Sequence, residues 1–304
     1  MLKKAVTGLI IVAVCLSMAV AVWQGSNRST GVPGVSSSGD IGVIRISGTI
    51  ASGTSGSSWF SAISGSETIM QQLRTAGKNP SIKAVILRLD TPGGSAAASQ
   101  EISLEIDRLR EQGVIVVASM GDIAASGGYW IASHCDKIMA NPGTMTGSIG
   151  VIMETQNMQG LYEQLGIDPI TFKSGPYKDM GSSSREVTEE EIAIFQAMID
   201  DVYNQFVDTV SQGRGMTRSE VLLLADGRVF TGNQAKENGL IDELGNYYDA
   251  IELAASLAEI TGEPSVVDLT PKYTWLDMLG STSLSGSLSP DLLTELMAEK
   301  LLSL

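Results

Sequence analysis

Histidine is almost absent from this chain: its 304 residues include one, His134. Cysteine is nearly as scarce, with Cys15 in an apolar N-terminal run and Cys135 in the body. One histidine and no cysteine cluster give no ligand set for zinc or iron, and two cysteines so placed cannot staple the folded domain. No cofactor is expected. Basic residues are few, 20 Lys+Arg against 34 Asp+Glu, for a formal net charge of −14. With no basic patch and no interleaved aromatics, nucleic acid is not an expected partner. The acidic residues are scattered and read as a solvated surface. What the chain does have is apolar content, 43% of residues, enough for a sizeable core.

Lys3 and Lys4 precede an uncharged run from Ala5 to Trp23, long enough to cross a bilayer as a helix. The lysines are expected to stay cytoplasmic, which puts everything after Trp23 outside. Ala19-Val20-Ala21 also resembles the small-residue site of a cleaved signal peptide, and either reading exports the domain. The expectation is a cytoplasmic stub over 1–4, then a retained single-pass anchor over 5–23 in the cell membrane. Residues 24–40, rich in Gly, Ser and Pro, read as a flexible linker. A domain over 41–270 and a tail over 271–304 come next. The tail either packs on the domain or a neighbour, or reaches an active site and is trimmed there.

Within the domain, strands are expected at 41–46, 84–89, 114–118, 137–140, 146–152 and 170–173. Helices are expected at 67–76, 96–112, 129–134, 156–165, 189–212, 216–225 and 248–260. Thr188 followed by Glu191 is a capping box for the longest of these. Ser52–Ser66 reads as a Ser/Gly loop, and Ser182–Arg185 as a mobile polar stretch. Repeated strand–helix–strand order predicts an α/β fold with a parallel sheet.

One stretch stands out, Gly121-Asp122-Ile123-Ala124-Ala125-Ser126-Gly127-Gly128-Tyr129-Trp130. A strand leads in, a helix leads out, and Ser126 sits among residues too small to shield it. That is how a chain displays a nucleophile, and equally how it makes a phosphate-binding or close-packed turn. A nucleophilic serine needs a base. His134 lies eight residues on in the same expected helix, about 12 Å along its axis, which is out of reach. A lysine made neutral by burial can serve instead, and Lys173 and Lys178 both come later in the chain at plausible distance. Two backbone donors would complete such a site. Gly127 N–H comes directly after the serine, and Pro92-Gly93-Gly94 ends a strand at the sheet edge where sites assemble.

Asp90-Thr91-Pro92-Gly93-Gly94, Ala125-Ser126-Gly127-Gly128-Tyr129, Thr146-Gly147-Ser148-Ile149-Gly150 and Ser174-Gly175-Pro176-Tyr177-Lys178-Asp179 occur in this order. Together, behind an N-terminal anchor, they resemble the signal peptide peptidase A family. These are membrane serine proteases with a ClpP/crotonase-like fold built of repeated ββα and βαβ units. The resemblance covers about Ile41 to Ala255. It implies Ser126 as nucleophile and Lys178, rather than Lys173, as general base. It implies Ser148 as the residue orienting the lysine, and the Gly127 and Gly94 amides as the oxyanion hole. Thr91 stands where serine is more usual and keeps the hydroxyl. The implied substrates are cleaved signal peptides left in the membrane and other membrane-associated peptides. A chain with one copy of the domain resembles the short form, a homo-oligomer of eight with sites built across neighbouring subunits. The competing readings are a crotonase-type acyl-CoA enzyme and an inactive membrane scaffold of the same fold.

Overall fold

The apolar runs become the middle of one sheet. In this computed structural model residues 39–58 and 61–270 are described. The anchor expected over 5–23, the linker up to residue 38, Trp59 and Phe60, and the tail lie outside them. Among the described residues no helix is long and apolar enough to cross a membrane.

β1 (Ile41–Ser47), β5 (Ala84–Thr91) and β6 (Ile115–Ala125) run parallel at the centre. Between β1 and β5 lie the short strands β2 (Thr49–Ala51), β3 (Gly56–Ser58) and β4 (Ser61–Gly65), and helix α1 (Ser66–Lys78). Helix α2 (Ala96–Glu111) joins β5 to β6, and α3 (Gly127–Ala132) comes after β6. Next come β7 (Lys137–Ala140), β8 (Met145–Gly147), α4 (Gln159–Leu165), the long α5 (Glu189–Arg214) and α6 (Arg218–Leu222). The domain closes with β9 (Val229–Thr231), α7 (Gly232–Glu237), β10 (Glu243–Leu244), α8 (Tyr247–Leu257) and β11 (Val266–Asp268).

The main sheet has the order β10-β7-β6-β5-β1-β11, all parallel, with β8 added on β6 and β9 antiparallel to β8. The expected α/β class and parallel sheet are found. Ile44, Ile46, Ile86, Leu87 and Leu89 are fully buried, each stabilising by about 1.5–3 kcal/mol through apolar burial. Packing of α8 seals one face: Ala250, Ala254 and Ala255 meet Val43, Ile86 and Val117. Small alanines there let helix and sheet approach closely.

Four expectations are corrected. Ser52–Ser66 is not one loop but contributes to a second sheet, β2-β4-β3. Its pairings are made across the loop, so no local periodicity betrays them. The strand expected over 146–152 stops at Gly147, where the backbone turns to positive φ. The strand expected over 170–173 does not form: Phe172 is 94% exposed and has no partner strand among the described residues. Ser182–Arg185 is tied down by ion pairs of Arg185 with Asp179 and Glu191.

Strand β6 is what positions the site. Its first half pairs with β7, through Val117–Ser119, and its last residues pair with β8, Ile123–Ala125 against Met145–Gly147. Between the halves its register on β5 slips: Leu89 faces Met120 but Thr91 faces Ala124. Asp90 Oδ1 accepts from Ile123 N (3.3 Å) across this bulge. A bulge bends a strand and re-aims the residues beyond it. The strand therefore runs on to Ala125, beyond the expected end at Ala118, and delivers the next residue beside β8.

Candidate active site

That next residue is Ser126, with φ 53° and ψ −119°. This is a conformation that residues with a Cβ avoid, at a cost of about 1–3 kcal/mol. It is held from both sides. Ser126 N donates to Gly147 O (2.8 Å), and Trp130 N donates to Ser126 O (2.9 Å) as α3 begins. The chain turns sharply and leaves the hydroxyl at the edge of a cavity of about 700 Å³.

The Pro92-Gly93-Gly94 turn forms the facing wall. Buried Thr91 builds it: its Oγ1 accepts from Gly93 N (3.0 Å) and donates to Gly48 O. The retained hydroxyl thus has a structural use. Ile50 bridges to the same turn, donating to Gly93 O and accepting from Ser95 N (both 2.9 Å). A Cβ on Gly94 would lie 2.1 Å from Ile50 O, so only glycine fits. Gly127 is equally confined, since a Cβ there would lie 2.5 Å from Ser99 Oγ and 3.3 Å from Gly94 N. The two amides are therefore neighbours, and among the described residues neither donates to a backbone carbonyl. Unpaired N–H groups beside an exposed hydroxyl are what an oxyanion site requires.

Ser148 lines the same cavity. It too has positive φ, 51°, and its N–H donates to Arg228 O (2.9 Å). The deeper wall is apolar. Trp130 stacks on Phe206, ring centres 4.8 Å apart, and Val202, one turn before Phe206 on α5, extends that wall. Tyr203, whose hydroxyl donates to Ala225 O (2.7 Å), fixes the loop opposite. At the rim, Arg228 hydrogen-bonds Asp226 and holds its carboxyl down to about 2, so it is ionised at neutral pH.

Sequence reasoning did not name Ser99, Ile50 or the Trp130/Phe206 wall. The Val202–Phe206 spacing on one helix face was the available signal for the wall. His134 is accounted for structurally, with Nδ1 on Asp107 (2.9 Å). Cys135 is a free, buried thiol whose pKa burial pushes up, which leaves it unreactive. Among the described residues no acidic, Cys or His cluster could hold a metal.

Of the predicted site residues, Ser126, Gly127, Gly94 and Ser148 line one cavity. Lys178 does not. It lies in an exposed turn where its N–H donates to Gly175 O (3.3 Å) and its ammonium has no partner among the described residues. Lys173 is engaged elsewhere, on Asp179 (2.8 Å) and Pro176 O (3.1 Å). Among the described residues no histidine or lysine lines the cavity.

An α/β domain that displays a serine at a strained strand-to-helix turn beside two free amides has the form of a serine hydrolase. Comparison with known proteins agrees. Residues 108–261, about half of the chain, match peptidase family S49. The chain is 45% identical, over 74% of its length, to a Synechocystis sp. protein provisionally named as a protease, of which the match covers 76%. It is 40% identical over 61% of its length to an Enterococcus faecium protein provisionally named signal peptide peptidase SppA, of which 54% is covered. With the chloroplastic serine protease SPPA of Arabidopsis thaliana it shares 37% identity over 64% of its length, covering 29% of that longer protein. The chain belongs to peptidase family S49 and is a serine protease of the signal peptide peptidase A type.

Proposed function

We propose that this protein is a membrane-anchored endopeptidase of ClpP/crotonase-like fold. It uses Ser126 and Lys178 to hydrolyse cleaved signal peptides and other membrane-associated peptides on the extracytoplasmic side. The anchor over 5–23 and the linker over 24–40 would hold the domain at the surface where such peptides remain. The observation that carries the reading is the Ser126 turn with the free Gly94 and Gly127 amides beside it in one cavity.

The base comes from a neighbouring copy. Two observations support this. Among the described residues the Ser126 cavity has neither histidine nor lysine in its walls, while Lys178 rides on a segment that does not line it. That segment, 153–187, also exposes large apolar side chains: Met153 49%, Leu165 62%, Ile170 73% and Phe172 94%. Apolar surface of this extent marks a protein interface. A closed homo-oligomer, an octamer by resemblance, would cover it and bring Lys178 of one subunit to Ser126 of the next. Ser148, at the cavity edge, would receive and orient the lysine.

The chemistry is acyl transfer. Neutral Lys178 takes the Ser126 proton as Oγ bonds the peptide carbonyl carbon, and the Gly127 and Gly94 amides hold the resulting oxyanion. Collapse breaks the C–N bond, and the proton on Lys178 goes to the leaving amine. Lys178 then deprotonates a water, whose oxygen displaces Ser126 from the ester and frees the acid, and the proton on Lys178 returns to Ser126 Oγ. The apolar Trp130/Phe206 wall suits a substrate segment rich in aliphatic side chains. The test is hydrolysis of a fluorogenic peptide by Ser126→Ala and by Lys178→Ala, each checked for folding. Each is expected to lose at least about a thousandfold in kcat, as catalytic dyad members do. Wild-type turnover in either would overturn the reading.

A further inference from the structure

Lys178 is the middle residue of a clamped triplet, and its ammonium has no partner among the described residues. On one side Tyr177 OH donates to Glu190 Oε2 (3.1 Å). On the other, Asp179 accepts from Arg185 Nη2 (2.8 Å) and Nε (3.1 Å), and its carbonyl accepts from Nη2 as well (3.2 Å). Arg185 Nη1 then reaches Glu191 Oε2 (2.9 Å) on the first turn of α5, while Glu191 also accepts from Thr188 N (3.0 Å) as part of the capping box. Glu190 and Glu191 are consecutive, so the residues before and after Lys178 are tied to adjacent positions of one long helix. Glu191 is only 2% exposed although its neighbours on that turn are open to solvent.

We propose that Arg185 is a positioning residue for Lys178: by joining Asp179 to Glu191 it fixes the turn from which the Lys178 ammonium is presented to a Ser126 site. The inference rests on the Ser126/Lys178 reading. Arginine suits the task because its planar fork can grip two carboxylates and a carbonyl at once, which a lysine ammonium cannot do with the same geometry. The cation also neutralises Asp179, with Lys173 on its other side. The carboxylate next to Lys178 is thus already paired and leaves that ammonium free. A base misplaced by about 1 Å can lose on the order of a hundredfold in rate, so a clamp on the residue beside the base matters.

The experiment compares the full-length protein with Arg185→Met, Arg185→Lys, Asp179→Asn, Lys178→Ala and the double variant Lys178→Ala/Arg185→Met, with melting temperature and assembly size recorded for each. A peptide substrate is used for the single variants, and an activated p-nitrophenyl ester where residual rates must be read. Arg185→Met is expected to lower kcat about 10- to 100-fold with KM within about twofold, and Arg185→Lys to recover part of that loss. In the Lys178→Ala background the Arg185 change is expected to cost nothing further, because it acts only through Lys178. Wild-type kcat in Arg185→Met overturns the inference and leaves the dyad standing. An equal fractional loss in both backgrounds overturns it too, by showing a general structural role. Wild-type turnover in Lys178→Ala overturns the dyad and the clamp together. If Arg185→Met fails to fold, Asp179→Asn cuts the same link while Arg185 keeps Glu191, and wild-type kcat there overturns the inference.

Discussion

The strain at Ser126 can be measured without any substrate. The residue is held at φ 53° and ψ −119° by bonds of its own backbone to Gly147 and Trp130, none of which involves the side chain. Ser126→Ala keeps the Cβ and so keeps the strain. Ser126→Gly removes the Cβ and with it a penalty of about 1–3 kcal/mol. Glycine also loosens the unfolded chain, which costs about 0.5–1 kcal/mol in the other direction. The net expectation is that Ser126→Gly is at least as stable as Ser126→Ala, by up to about 2.5 kcal/mol. For a domain of this size that is a gain of up to roughly 10 °C in Tm, with about 2–4 °C per kcal/mol. Scanning calorimetry of the two inactive variants, side by side and in the same assembly state, reads the difference directly. An alanine variant more stable than the glycine variant would refute stored strain at this turn.

The same geometry makes three further outcomes checkable. Gly94→Ala puts a Cβ 2.1 Å from Ile50 O, so the turn must shift. Peptide hydrolysis should fall by about 10²–10³ through loss of one oxyanion donor, with the fold kept, and unchanged kcat would count against Gly94 as that donor. The Asp179–Arg185–Glu191 clamp should depend on pH. Hydrogen bonds from Arg185 hold the Glu191 carboxyl down at about 2, against an ordinary 4.5, and lower Asp179 as well. A depressed carboxylate stabilises the folded form fully above its unfolded value and loses that contribution as pH falls through its folded value. The protection factors of residues 174–187, taken relative to intrinsic exchange at each pH, should then be flat above pH about 5 and fall progressively toward pH about 2, and protection that instead weakened on raising the pH would contradict the clamp. Ile170→Ser/Phe172→Ser should shift the assembly toward monomer in sedimentation and lower activity with it, and an unchanged assembly would remove this segment from the interface.

The parallel core was legible because its strands are nearly continuous apolar runs, Val114–Ala118 above all, separated by amphipathic segments. Thr188 and Glu191 announced the start of α5 by a local rule, and both bonds of the capping box form. The Ser126 turn was visible from its small residues. Its strained angles and the bulge that aims it were not, because they come from the pairing of β6 with two different strands. Ile170-Thr171-Phe172 has the composition of a strand, but strand propensity is a preference for packing against neighbours, and this segment has no partner strand among the described residues. Ser182–Arg185 read as mobile because composition cannot show that Arg185 meets Asp179 six residues before it and Glu191 six residues after. The apolar wall of the cavity needed α5 to cross over α3, a contact that joins Phe206 to Trp130.

Whether Ser126 and Lys178 form one site across neighbouring subunits is tested most directly by mixing two dead chains. Ser126→Ala keeps the lysine and Lys178→Ala keeps the serine, and each alone should be inactive. Co-expressed in equal amounts and assembled at random, about a quarter of the sites should pair an intact serine with an intact lysine from the next subunit, restoring roughly that fraction of wild-type peptide hydrolysis. No recovery in mixed assemblies of normal size would contradict a site shared between copies.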